Sequence, residues 1–154
     1  MGNLRAELRQ SRPFRNLREE AILNVWRTGD FVAGKLQRLL KTQGGISQTQ
    51  YNVLRILRGS GEGGLPCGEI AGRMLTRDPD VTRLMDRLVR LGLARRARER
   101  QDRRVIRVRI TPAGMKLVAG LEAPVNKLID ETLGHMKRAE LRTLIALLSD
   151  VRRG

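Results

Sequence analysis

Between Arg95 and Arg109 the chain carries eight arginines, opposed only by Glu99 and Asp102. They do not lie in a structureless tail. Ile106, Val108 and Ile110 alternate with Arg107 and Arg109, and a period of two marks a half-buried strand. With a turn at Gln101-Asp102-Arg103, the segment predicts a basic β-hairpin with one apolar face and one arginine face. Like charges held this closely repel, and an anionic partner offsets that cost. Such a hairpin is built to meet a polyanion.

The rest of the composition narrows the partner. The formal net charge is +15, and only 3% of residues are aromatic. Binders of single-stranded nucleic acid stack bases on rings, yet Phe14, Trp26, Phe31 and Tyr51 all lie far from the arginine segment. Duplex DNA gripped through its phosphates fits better. At 154 residues and 40% hydrophobic, the chain forms one domain or compact protomer with a mostly aliphatic core.

Other functions find little support. Cys67 and His135 are the only residues of their kinds, which leaves no disulfide framework and no cysteine/histidine zinc site within one chain. No metal and no cofactor are expected. The sequence has no clustered carboxylates and no nucleophile–histidine pair. Gly59 to Gly64 lacks the Lys-Ser/Thr of a phosphate loop, so no enzyme is expected. The first ten residues have no apolar signal core, and Ala6 stands where a myristoylation motif wants Ser or Thr. Apolar runs such as Leu144 to Leu148 are too short to span a bilayer. A cytoplasmic protein without a membrane partner is the expectation.

Along the chain, helical spacing of apolar residues predicts a long first helix from Phe14 to Lys41, bent near Gly29 or Gly34 and stopped at Gly44-Gly45. Ser47 and Gln50 match a capping box for a second helix. After the glycine-rich break at 59–64, a short helix turns Ile70, Ala71, Met74 and Leu75 inward. Asp78 then reads as an N-cap, with Pro79 in the first helical position. Val81, Leu84, Met85, Leu88 and Leu91 form one buried stripe, and Gly92 ends the helix. Thr111-Pro112 opens a helix that runs to about Gly134 and bends at Pro124. A last helix covers about Arg138 to Val151.

A short helix, a tight turn, a helix with a basic face and a hairpin make the winged helix-turn-helix plan. In that motif the N-terminal end of the second helix lies nearest the base edges. Here it carries Arg77, Asp78, Asp80, Thr82 and Arg83. Arginine takes both acceptors of a guanine, and aspartate accepts from a cytosine amino group. Arg87 and Arg90, further along, suit phosphates, which set register but not sequence. At the hairpin tip Arg103 adds a further DNA-binding charge, and Asp102 could pair with Arg104 and hold its guanidinium in a fixed fork for a narrow minor groove.

The run from Leu75 through Asp80-Val-Thr-Arg-Leu-Met-Asp86 to Leu91-Gly-Leu93, followed by Asp102-Arg-Arg-Val-Ile-Arg-Val-Arg-Ile-Thr-Pro-Ala-Gly114, resembles the MarR family of bacterial transcriptional regulators. The resemblance covers most of the chain; Lys137, where the family often has Ser or Thr, is a departure near the last helix. It implies a mainly α fold with a small β-hairpin wing. A winged helix-turn-helix domain spans 43–111, and a helical dimerisation region spans 1–42 and 112–154. It also implies a homodimer on a pseudo-palindromic operator with half-sites roughly 10 bp apart, with Thr82 and Arg83 as base or phosphate contacts and Arg104 in the minor groove.

Independently, the amphipathic terminal helices need a partner for their apolar stripes; Leu17, Ile22, Leu121, Leu128, Leu144 and Leu148 are the expected contacts. The family often binds small aromatic or phenolic ligands between the helical region and the winged domain, which makes Trp26, Phe31 and Tyr51 either walls of such a site or core filler. Cys67 reads as packing, since no second cysteine can resolve an oxidised one. The expected function is a sequence-specific DNA-binding repressor relieved by a small molecule. The alternative is a basic architectural or RNA-binding protein that grips phosphates without reading sequence.

Overall fold

The structure, a computed structural model, describes residues 4–78, 80–98 and 105–153. Among these residues seven helices and three strands follow in order. They are α1 (Leu4–Glu7), α2 (Leu17–Gly44), α3 (Gln48–Gly59), β1 (Leu65–Pro66), α4 (Cys67–Arg73), α5 (Val81–Arg90), β2 (Ala94–Arg98), β3 (Ile106–Ile110), α6 (Pro112–Leu133) and α7 (Arg138–Val151). A single 3₁₀ turn at Gly61–Gly63 precedes β1. The fold is mainly helical with a small antiparallel wing, as the sequence predicts.

Local chemistry sets most boundaries. Asn16, rather than a residue near Phe14, starts α2: its side chain accepts the N–H groups of Arg18 and Glu19, two of the donors a helix start leaves unpaired. The helix continues through Gly29 and Gly34 and ends where Gly45 adopts φ +64. Ser47 and Gln50 form the expected reciprocal box at the start of α3, with Gln50 N to Ser47 Oγ at 3.1 Å and Ser47 N to Gln50 Oε1 at 2.8 Å. Thr111 caps α6 ahead of Pro112 by accepting Gly114 N–H at 3.1 Å.

One core joins the two expected regions. Leu40 of α2, Leu54 of α3, Ile70 of α4, Leu88 of α5, Val108 of β3 and Val118 of α6 are all fully buried in a single cluster. Burying a side chain of this size contributes roughly 1.5–3 kcal/mol. Leu121, expected at a dimer contact, is 2% exposed and belongs to this same core, so in its own chain it serves packing.

The sheet has the order β1-β3-β2. Strand β1 was not expected: two residues are too few to show a period, and it forms only because Leu65 and Pro66 pair with Val108 and Arg107. Within the hairpin Ala94 and Val108 face the core, while Ile106 is 45% exposed because it lies beyond the core's edge. Two other apolar residues also lie outside. Leu75 is 83% exposed because α4 ends at Arg73 and Met74 is extended (ψ 142), carrying Leu75 off the helix face. Leu91, 54% exposed, caps α5 beyond its packed stripe.

Candidate nucleic-acid interface

Helices α4 and α5 pack against each other, and their connector sets how α5 is presented. Asp80, not Asp78, is the N-cap of α5: its Oδ1 accepts Arg83 N–H at 3.0 Å. Asp78 acts one step earlier, where its Oδ1 accepts the N–H of Asp80 at 2.9 Å. Two aspartates two residues apart offer equal capping chemistry, so the backbone decides between them. Pro79, read as the first helical residue, lies outside the described residues, and the helix begins after it at Val81.

One side of α5 is spent on the core, with Leu84, Met85 and Leu88 buried. The opposite side presents Thr82, Arg83, Arg87 and Arg90, all exposed, with Arg77 exposed just ahead of them. Asp78 and Asp80 are half-buried beside them. The helix then stops sharply. Gly92 takes φ +69, its N–H bonds Val89 O at 2.9 Å, and Leu93 N–H reaches back to Leu88 O at 3.0 Å. That is a Schellman closure, which needs a residue free to be left-handed.

The wing is tied to α5 at the start and in the middle of strand β2. At its root, Thr111 donates its hydroxyl to Gly92 O at 2.6 Å and its N–H to Leu93 O at 3.1 Å. Gly114 sits so close that an added Cβ would stand 2.8 Å from Ile110 Cγ1 and collide with Leu93 O. Further out, Arg96 Nη2 bonds Asp86 Oδ1 at 2.8 Å. Arg96 thereby braces the wing strand against the helix. The packing of β2 back along α5 brings it there, and no local sequence signal marks it.

The arginine face of the hairpin is only partly open. Arg107 and Arg109 are half-buried, because the chain before β1 folds over them: Arg107 Nη1 donates to Gly64 O at 3.2 Å. Arg95 lies directly opposite Arg109 in the ladder. The tip residues Asp102, Arg103 and Arg104 lie outside the described residues.

Asp86 is thus engaged by Arg96 and Asp80 by Arg83, and among the described residues no carboxylate pairs with Arg87 or Arg90. An exposed basic helix beside a basic hairpin, each fixed to the other, is a winged helix-turn-helix DNA-binding unit.

Comparison with known proteins gives the family. Residues 44–105 match the sequence profile of the MarR family. The chain is 39% identical to a MarR transcription factor from Planctomyces limnophilus, covering 89% of this chain and 98% of that one with a TM-score of 0.67. It shares its fold with Sco3205, a MarR family regulator from Streptomyces coelicolor solved in complex with DNA (18% identity, 94% of this chain, 92% of that one, TM-score 0.80). BpsR of Bordetella bronchiseptica, whose DNA binding is regulated by 6-hydroxynicotinic acid, is also similar in fold (20% identity, 93% of this chain, 99% of that one, TM-score 0.78). The chain belongs to the MarR family of transcriptional regulators.

A second feature lies away from the basic face. Helices α2, α3 and α6 and the α4–α5 connector enclose a cavity of about 180 Å³ with mainly apolar walls. Buried Tyr51 lines it, together with Asn52, Leu75 and Thr76, and Lys35 and Arg55 supply two cations. Asn52 also accepts the N–H of Leu75 at 2.9 Å, so one wall of the cavity holds the chain leading into α5. Trp26 and Phe31 do not line it. Trp26 is 75% exposed, and Phe31 lies under Lys35 Nζ at 4.5 Å. Sequence reasoning missed Lys35, Asn52 and Arg55, since a polar residue on a helix face carries no sign of what it will border.

Cys67 is half-buried at the start of α4, and His135 is exposed in the turn before α7. Among the described residues, no group of acidic, histidine and cysteine side chains is arranged to hold a metal ion. Among those residues also, no helix is long and apolar enough to cross a membrane.

Proposed function

We propose that the protein is a homodimeric, cytoplasmic repressor that reads a pseudo-palindromic operator and releases it when a small, largely apolar anion binds. In this reading the winged domain over 43–111 contacts DNA, and the helices over 1–42 and 112–154 hold the two protomers together. The observation that carries it is the division of α5 into a packed face and an exposed basic face, braced to the wing through Asp86 and Arg96. Thr82 and Arg83 meet base edges, Arg87 and Arg90 meet phosphates, and Arg104 enters the flanking minor groove.

The test is a salt-dependent titration against the DNA upstream of its own gene, beside random duplex of equal length. A preference that persists as salt rises supports the reading. Equal affinities that both collapse with salt would support an architectural phosphate binder instead. In the same assay Arg87→Ala is expected to weaken binding to both duplexes alike and to lower the salt slope by about one. A loss confined to the upstream DNA would make Arg87 a base contact.

The effector reading rests on the composition of the cavity. Apolar walls take a ring or short acyl chain, and Arg55 and Lys35 suit a carboxylate. Because Asn52, Leu75 and Thr76 border it, an occupant there favours one placement of the connector to α5, and release follows from that difference in affinity between states. Arg55→Ala should raise the concentration of an aromatic carboxylate needed to release DNA by about tenfold, as loss of a charge-assisted hydrogen bond would. Fluorescence anisotropy of a labelled operator reads this directly, and an unchanged midpoint would remove Arg55 from the site.

A further inference from the structure

Asp80 makes two bonds to one residue. Its Oδ1 accepts the backbone N–H of Arg83 at 3.0 Å, and its Oδ2 meets Arg83 Nε at 3.0 Å. The first is an N-cap that Asn or Ser would make equally well. The second is not needed by the helix, and as an exposed ion pair it adds at most about 1 kcal/mol to stability. Its effect is on geometry.

A guanidinium offers its donors along two edges, one using Nε and a terminal nitrogen, the other using both terminal nitrogens. Asp80 occupies the Nε edge. The Arg83 side chain is 79% exposed, and its terminal nitrogens have no partner among the described residues. Asp80 is itself held by Asp78 through the 2.9 Å bond to its N–H, so the brace reaches back into the connector. Among the described residues Arg87 and Arg90 have no such carboxylate, which leaves them to follow phosphates. A carboxylate beside Arg83 also repels a phosphate and keeps that arginine off the backbone.

The geometry points to Asp80 as a positioning residue for base readout. It holds Arg83 so that the two terminal nitrogens face N7 and O6 of a guanine, and it thereby sets a G·C preference at one base pair of each half-site without touching DNA. This inference rests on α5 being the recognition helix. Holding a long side chain before binding also removes part of the ordering cost of the contact.

The experiment uses the full-length protein and a duplex selected by it from a randomised library, then re-measured with each base pair changed in turn. Wild type, Asp80→Asn, Arg83→Gln and the double variant are compared. Asn keeps the cap and loses the charge, and Asp80→Ser serves as a second capping variant. Asp80→Asn is expected to lose about tenfold in discrimination, within the range for a bidentate guanine contact. The loss should fall at the same G·C pair that Arg83→Gln affects, and the double variant should lose no more than Arg83→Gln alone. The melting temperature of Asp80→Asn should stay close to that of wild type, because the cap is kept and the lost ion pair is exposed.

A wild-type profile in Asp80→Asn and Asp80→Ser would overturn the inference while leaving the recognition helix intact. So would a loss at a different base pair, because Asp80 would then be a base contact itself. A flat profile for the wild-type protein would overturn the recognition reading and this inference together.

Discussion

Leu144→Asp is expected to leave the protein monomeric and to cost at least about a hundredfold in operator affinity, the scale of avidity lost when two linked half-site contacts become independent. Helix α7 contains no buried residue in its own chain, yet it presents Ile145, Leu147 and Val151 at 54–64% exposure. Helices of its length are marginal alone in water and depend on packing. Leu17, Ile22 and Trp26 on the first half of α2 are also more than half exposed. Apolar area on this scale marks an association surface.

Leu144 and Leu148 lie half-buried among these residues, so a carboxylate at 144 would be desolvated in the interface without a partner. Leu128 is a poorer choice because it also lines the cavity, and its replacement would disturb two features at once. Sedimentation equilibrium gives the mass and a DNA titration gives the affinity. A dimer mass for the variant would sink the proposed interface.

That prediction depends on something the sequence shows only in part. Features written in local chemistry were legible: the Ser47–Gln50 box, the Thr111-Pro112 start and the Gly92 stop each need a particular side chain or the lack of one. Burial was harder. Periodicity says that a helix has an apolar face but not what covers it, so Leu121 and Leu144 read alike although one is core and the other half-buried on an unpacked helix. It also overran the helix ends at Leu75 and Leu91. In the candidate site, the exposed face of α5 followed directly from the spacing of Leu84, Met85 and Leu88. The Asp86–Arg96 brace and the Asn52 contact did not, because they join residues brought together only by tertiary packing. The arginine face of the hairpin was misjudged for the same reason: nothing in its alternation shows that Gly64 lies across Arg107.

Gly64→Ala is expected to destabilise the protein by at least about 2 kcal/mol, from strain at a left-handed position together with a steric clash. Gly64 holds φ +64, a region where an L side chain is strained. An added Cβ would also lie 2.5 Å from Arg109 Cγ and collide with Val108 O. Neither neighbour moves easily, because Val108 is a fully buried strand residue paired with Leu65. Relief requires β1 to part from β3, which also removes the carbonyl that Arg107 holds. Strand β3 would then keep only β2 as a strand neighbour among the described residues, and DNA affinity should fall with stability.

Gly63→Ala is the control, since an added Cβ there meets nothing within 4 Å. Urea unfolding at one fixed protein concentration, chosen because the proposed dimer would make stability depend on concentration, should separate the two variants. If Gly64→Ala unfolds at the same midpoint as Gly63→Ala, the close approach of the 61–64 turn to the wing is not what anchors the sheet. The support of the arginine hairpin would then have to come from the Asp86–Arg96 brace and the Thr111 bonds alone.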